Sequence, residues 1–99
     1  MDTHSYLEKL ITERFGGDKS RVFELFEDED IYQNLVALDK NGGWLNYKEN
    51  LYDGWHFIKH LEFYEIYYQE RGASFERKRF QTLKEAAVFF YTASGYVGS

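Results

Sequence analysis

His56 and His60 stand four residues apart, the spacing that would set two imidazoles on one helical face as in zinc sites. No glutamate lies between them in the protease pattern, and the remaining histidine, His4, sits in the other half of the chain. Two ordinary loop histidines are the favoured reading, and no metal is expected. Gly16-Gly17-Asp18-Lys19-Ser20 ends like a Lys-Ser phosphate loop, but the first glycine of the GxxxxGK[ST] spacing is missing and no strand precedes it. A helix stop fits these glycines better. There is no cysteine for a thiol nucleophile, a thiolate zinc site or a disulfide framework. Nothing in the sequence places a histidine beside Ser20 or Ser74, as nucleophilic catalysis would require. Carboxylates abound, as in any acidic domain, without a set that meets the demands of catalysis. The expectation is a protein that is not an enzyme and needs no cofactor.

Two other groups of residues suit binding rather than reaction. The first is acidic: Glu27-Asp28-Glu29-Asp30 in a row, with Glu24 close by. Such clusters steer a basic partner and mimic the phosphates it would hold, although a charge run is more often a solvated turn that keeps a domain soluble. The second is aromatic: Tyr47, Tyr52, Trp55, Phe57, Phe63, Tyr64, Tyr67 and Tyr68. Alternation in a strand sends some of these outward, so Tyr67 and Tyr68 cannot both face one core. Tyrosine and tryptophan dominate interface hot spots. The competing reading, of equal weight, is that the Asn50–Leu61 segment folds over the sheet and buries them.

The elements that would position these groups follow from periodicity and stop signals. Tyr6, Leu7, Leu10, Ile11 and Phe15 fall at helical spacing, Ser5 and Glu8 have the form of a capping box, and Gly16-Gly17 ends a helix over about 5–15. Val22–Phe26 alternates with charge and reads as a short strand. The acidic run then reads as a turn where the chain reverses. Tyr32–Leu38 and Trp44–Glu49 are β-branched or aromatic runs around Lys40-Asn41-Gly42-Gly43, and Asn-Gly is a hairpin signal. Asn50–Leu61 lacks a clean period and reads as an ordered loop or short helix. Phe63–Glu70 and Ser74–Phe80 flank Arg71-Gly72-Ala73 as a second hairpin. Within its second strand, Glu76-Arg77-Lys78-Arg79 is the only basic run; strict alternation puts Arg77 and Arg79 with Phe75, and Glu76 and Lys78 with Phe80. A charged edge strand accounts for that pattern. Thr82 to Glu85 repeats the capping box and opens a helix over about 83–93, ending at Gly95.

The whole is read as one domain over 1–99, of α+β class: an antiparallel four- to five-stranded sheet of hairpins with an N-terminal and a C-terminal helix packed on one face. A chain of 99 residues with 20% aromatics is too rich in aromatic side chains for disorder and just large enough for one core. Net charge is −5, all of it in residues 1–50, where six Lys or Arg face eleven Asp or Glu. That disfavours nucleic acid as a partner. The first residues lack a signal-peptide pattern and no run is long enough to span a membrane, so a cytoplasmic protein is expected.

The stretch from Asn41-Gly42-Gly43-Trp44 through Tyr67-Tyr68-Gln69-Glu70-Arg71-Gly72 to Phe80-Gln81-Thr82 and Leu83-Lys84-Glu85-Ala86-Ala87 resembles small bacterial immunity proteins. These are the antidotes of polymorphic or contact-dependent toxin systems, and the group known as immunity protein 59 is the nearest pattern, over about the C-terminal half. The resemblance implies an inhibitor that binds a cognate toxin effector domain, often a nuclease, without chemistry of its own. On that reading Glu24, Glu27, Asp28, Glu29 and Asp30 steer the partner, and Tyr52, Trp55, Tyr67 and Tyr68 supply contact hot spots, in a monomer or homodimer. The alternatives are a small-molecule-binding regulatory module with an aromatic pocket between sheet and loop, and a self-associating subunit.

Overall fold

The computed structural model describes residues 1–41 and 43–98. Helix α1 spans Thr3–Phe15, and its N-cap is Asp2, whose carboxylate accepts the Ser5 N–H at 2.7 Å. The expected Ser5–Glu8 capping box is therefore replaced by a cap three residues earlier: Asp2 is the N-cap and Ser5 lies inside the first turn as its N–H donor. Gly16 closes the helix with its N–H on the Ile11 carbonyl.

The next thirty residues differ most from expectation. Lys19–Glu27 is not a strand but a 3-10 segment, capped by Asp18 and kinked at Phe26. Val22, Leu25 and Phe26, at i, i+3 and i+4, all point into the core. Tyr32–Leu38 is likewise helical: α2 runs Glu29–Leu38 and buries Ile31, Tyr32 and Leu35. The acidic run explains why. Asp28 is the N-cap, accepting the Asp30 N–H at 2.9 Å, and Glu29 and Asp30 fill the first turn, where negative charge meets the positive end of the helix dipole. Four carboxylates in a row here start a helix and do not make a free turn.

The sheet has four strands in the order β1 (Leu45–Asn46), β2 (Gly54–Lys59), β3 (Tyr64–Glu70), β4 (Ala73–Phe80). It is mixed. The hairpin expected between Tyr32–Leu38 and Trp44–Glu49 is not made, since Tyr32–Leu38 is helical, and Gly42 of its Asn41-Gly42 turn lies outside the described residues; β1 instead pairs parallel with β2, Leu45 opposite Trp55. β2 occupies much of the segment read as a loop or short helix. Its sequence, Gly-Trp-His-Phe-Ile-Lys, hides the period of two because both faces are covered and five of its six residues are buried. The β3–β4 hairpin is as expected, with Arg71 and Gly72 both at positive φ (51° and 80°), the geometry of a two-residue turn matched to strand twist.

One irregularity in that hairpin re-aims its side chains. Tyr68 pairs with Phe75 and Ile66 with Lys78, so Glu76 and Arg77 together stand opposite Tyr67, a β-bulge with Glu76 at φ 52°. The extra residue overturns the strict alternation expected of β4. Phe75 now shares a face with Lys78 and Phe80, and Arg77 and Arg79 lie on the other.

Helix α3 (Leu83–Ala93) is capped by Thr82, whose Oγ1 accepts the Glu85 N–H at 3.2 Å and donates to the Glu85 carboxylate at 2.8 Å, a variant of the capping box in which the glutamate holds the cap hydroxyl. It crosses the inner face of the sheet beside the 3-10 segment, while α1 packs on that segment and on α2. The core between them is mostly rings: Phe57 lies 5.0 Å from Phe90 and 4.9 Å from Tyr32, and Phe26 lies 5.3 Å from Tyr91. The buried phenols are anchored, Tyr32 to the Phe57 carbonyl at 2.7 Å and Tyr47 to Tyr91 at 2.7 Å.

Candidate functional site

The aromatic surplus divides between the two faces of the sheet. On the outer face, the loop 47–53 crosses over the strands and is tied down by Asn50. Its carboxamide oxygen lies 2.9 Å from His56 Nε2, and the Asn50 and Tyr52 carbonyls accept from Gln69 at 2.8 and 3.0 Å. His56 is fully buried, stacked on Tyr67 at 4.7 Å, and burial lowers its pKa. Arg77 covers the other side of Tyr67 at 4.3 Å and binds Glu65 at 2.9 Å; His60 reaches the same carboxylate at 3.1 Å. Burial alone would raise the pKa of Glu65, but bonds from Arg77 and His60 outweigh it and hold the carboxylate below its ordinary range. His56 and His60 thus serve separate contacts, and the described residues contain no group of three or more potential metal ligands. The basic run of β4 is occupied in the same way, with Arg79 over Phe63 at 4.7 Å.

On the inner face, α3 covers β2 and β3 and touches β4 through Phe89 and Phe80, while the residues of β4 before Phe80 stay exposed. A connected strip of rings results: Trp44 to Tyr68 at 5.7 Å, Tyr68 to Trp55 at 5.4 Å, Trp55 to Phe89 at 6.4 Å, Phe89 to Phe80 at 5.5 Å. Phe75 flanks Tyr68 at 6.5 Å. Trp44 and Phe75 remain 54% and 50% exposed, and Val88 on α3 is also exposed. Between α3 and β4 the strip continues into an almost wholly apolar groove of about 600 Å³, walled by Phe80, Val88, Phe89 and Ala93 with Glu85 and Thr92 at its rim. Exposed rings in contact with one another are unusual for a surface with no partner.

The strip is held by the segment between α2 and β1. Asp39, buried, accepts from the N–H groups of Asn41 at 2.7 Å, Tyr47 at 2.6 Å and Lys48 at 3.1 Å. Trp44 is fixed by its own bond, Nε1 to the Ser94 carbonyl at 3.2 Å, and by the Trp55 N–H on its carbonyl at 2.8 Å. Gly54 makes that approach possible: at φ 128° a Cβ there would meet the Trp44 carbonyl at 2.7 Å.

The nine residues expected to bind a partner are not brought together. Among the aromatics, Tyr52 is 57% exposed, on the outer loop. Tyr68 is half-buried in the strip. Trp55 and Tyr67, at 7% and 6% exposure, are interior residues: Trp55 is the buried ring of the strip, between Tyr68 and Phe89, and Tyr67 is sealed between His56 and Arg77. Neither offers a face to a partner. Among the acids, three are spent on cations: Glu24 on Arg21 in two bonds, Glu27 on Lys84 at 2.7 Å, and Glu29 on Lys59, with Tyr64 as a further donor. The Arg21 bonds hold the Glu24 carboxyl below its ordinary range. Asp28 caps α2, and Asp30 has no cationic partner among the described residues. Sequence reasoning did not single out Phe75, Val88 or Phe89 as contact residues. For Phe75 the bulge hid the signal; for Val88 and Phe89, next to the buried face of α3, the clue was an apolar stripe wider than one helix face needs.

No family model matches this chain, and no curated protein or solved structure matches it either.

Proposed function

We propose that this protein is a binding protein of the immunity type, which neutralises a cognate toxin effector domain by covering it and carries out no chemistry of its own. The single observation that carries the reading is the connected, half-exposed strip Trp44–Tyr68–Phe75 with its groove between β4 and α3. Large, rigid rings that already touch one another lose little entropy when a partner closes over them, which is what an interface hot spot requires. The resemblance of the C-terminal half to immunity proteins supports the same reading. So do the ion-paired outer face and the lack of an assembled catalytic set among the described residues.

In this account the strip supplies affinity and the acids at the start of α2 supply orientation. Among the described residues, Asp28 and Asp30 are the carboxylates of that cluster without a cationic partner; both are exposed, Asp28 while capping α2, so their charge is open to an approaching basic surface. Glu27 and Glu29 tie the 3-10 segment and α2 to Lys84 of α3 and Lys59 of β2, while Glu24 pairs with Arg21 within the 3-10 segment. The test is growth protection. Expression of the partner effector domain in a bacterial host arrests growth, and co-expression of this chain restores it; Phe75→Asp abolishes the rescue while the variant remains folded. Full rescue by folded Phe75→Asp refutes the placement of the interface.

A further inference from the structure

We infer that the cleft between the N-terminus of α1 and the β1 segment binds an alkylated ammonium head group, a cation whose charge is wrapped in methyl groups. The cleft has a volume of about 320 Å³, and Asp2, His4, Leu7, Trp44, Tyr47 and Tyr96 line it. That volume lies at the small end of the range for ligand sites and suits a head of choline size. Three of the six residues are aromatic, one is an acid, and the walls are mainly apolar. Such surroundings favour a weakly hydrated cation, because ring faces carry negative charge and methyl groups give up no hydrogen bonds on entry.

Two observations single out a cation. The first is that Tyr96 already holds one: the Lys19 ammonium lies 4.6 Å from the centre of its ring. Lys19 lines the neighbouring cleft with Glu8 and Ile11 and does not line this one, so the ring meets a cation on one side and the cleft on another. Tyr91 packs edge-on against the same ring at 5.2 Å, and the Trp44 indole is fixed by its bond to the Ser94 carbonyl at 3.2 Å. The aromatic walls are therefore set before a ligand arrives. The second observation is Asp2. It is exposed and caps α1 through one oxygen, Oδ1, which accepts the Ser5 N–H at 2.7 Å. Hydrogen bonds from Ser5 hold its carboxyl below the ordinary range, so the wall carries a full negative charge at neutral pH.

Other chemistries fit the cleft less well. An anion would meet the Asp2 carboxylate, which already fills the anion position at the start of α1. A metal ion requires several ligands, and the described residues contain no group of three or more that could supply them. A primary ammonium brings three N–H donors, which mainly apolar walls leave unmatched. His4, the basic residue of the wall, is engaged by Glu8 at 3.1 Å. The site is distinct from the protein-binding strip except at Trp44, whose ring meets Tyr68 and also walls the cleft.

The test titrates choline and its carbon isostere dimethylbutanol, in which a quaternary carbon replaces the nitrogen, into the intact protein. Chemical shifts are followed at Leu7, Trp44 and Tyr96. Saturable shifts at those residues are expected, with choline bound at least about fivefold tighter than the isostere. Asp2→Asn keeps the cap, since asparagine caps a helix as well as aspartate does; it should weaken choline at least about threefold and leave the isostere within about twofold. Tyr96→Leu removes the ring, keeps apolar bulk, and should act in the same way. A third titration, with a blocked Nε-trimethyllysine, identifies the bearer of the head. Tighter binding than choline assigns it to a modified protein and weaker binding to a free small molecule, and either result upholds the site. The proposal is overturned by the absence of saturable shifts up to about 20 mM choline. Equal binding of choline and the isostere to the natural protein also overturns it, as does a preference unchanged in both variants.

Discussion

Replacing Asp39 tests how the exposed strip is held in place. Its Oδ1 serves the Asn41 N–H at 2.7 Å, and its Oδ2 serves those of Tyr47 at 2.6 Å and Lys48 at 3.1 Å. Tyr47 is buried, so in Asp39→Ala its N–H loses a charged acceptor and cannot turn to water; such a bond is worth about 1.5–3 kcal/mol. The other two donors reach solvent and lose less. About 3 kcal/mol in total is expected, a large share of the roughly 5–15 kcal/mol that holds a domain of this kind together. Asp39→Asn separates the contributions: its one carbonyl oxygen can keep Tyr47 and Lys48 while its amide opposes Asn41, so about half the loss is expected. Urea unfolding with an unchanged m value measures both. In the background Trp55→Phe, the remaining Trp44 should move to longer-wavelength emission as its loop loosens. A loss below about 1 kcal/mol in Asp39→Ala, or equal losses in the two variants, refutes the reasoning.

Gly54→Ala is expected to cost roughly 2–4 kcal/mol, because the new methyl would stand 2.7 Å from the Trp44 carbonyl at a φ of 128° that L-residues avoid; thermal unfolding checks it, and a loss under about 1 kcal/mol counts against the close approach. Glu76→Gly should raise stability by up to about 1 kcal/mol by relieving the positive φ at the bulge; destabilisation would mean that the Glu76 side chain contributes more than its backbone costs. Glu65 has a folded pKa below its unfolded one, so its contribution is present above the ordinary carboxylate range and is lost as pH falls through the lowered folded value. Glu65→Gln should therefore lower stability at neutral pH by about 1–2 kcal/mol and flatten the acid limb of the stability profile, as chemical unfolding at stepped pH would record. Asp28→Asn with Asp30→Asn should slow association with a basic partner by about two- to fivefold at low salt and weaken the salt dependence; unchanged stopped-flow kinetics would remove both from the encounter.

The termini of the fold were legible because their signals are local. Gly16-Gly17, the Thr82–Glu85 box and Arg71-Gly72 each specify a backbone geometry without reference to the rest of the chain. The middle was not, because its deciding interactions are distant or ambiguous. Tyr32 and Val36 belong to residue types that favour strands, yet the cap at Asp28 and the buried Ile31, Tyr32 and Leu35, at i, i+1 and i+4, specify a helix. Composition outweighed spacing in that reading. β2 carries no alternation because the loop 47–53 covers its outer face, a tertiary fact that no window of sequence contains. The candidate site depended on the same two features. Tyr67 faces outward by alternation and is buried by that loop and by Arg77, while Phe75 was assigned the wrong neighbours because one bulge residue shifts the register of β4. Aromatic richness made it legible that some rings stay exposed, whereas which rings those are required the register.

The most direct measurement is a comparative pull-down from native-host lysate, with the natural chain and folded Phe75→Asp/Val88→Asp as parallel baits, quantified by mass spectrometry. One stoichiometric protein partner, a toxin effector domain, is expected on the natural bait and reduced at least about thirtyfold on the variant, the loss of one hot spot of 2 kcal/mol or more. Equal recovery of that partner on both baits would contradict the claim that the strip between β4 and α3 is the binding surface.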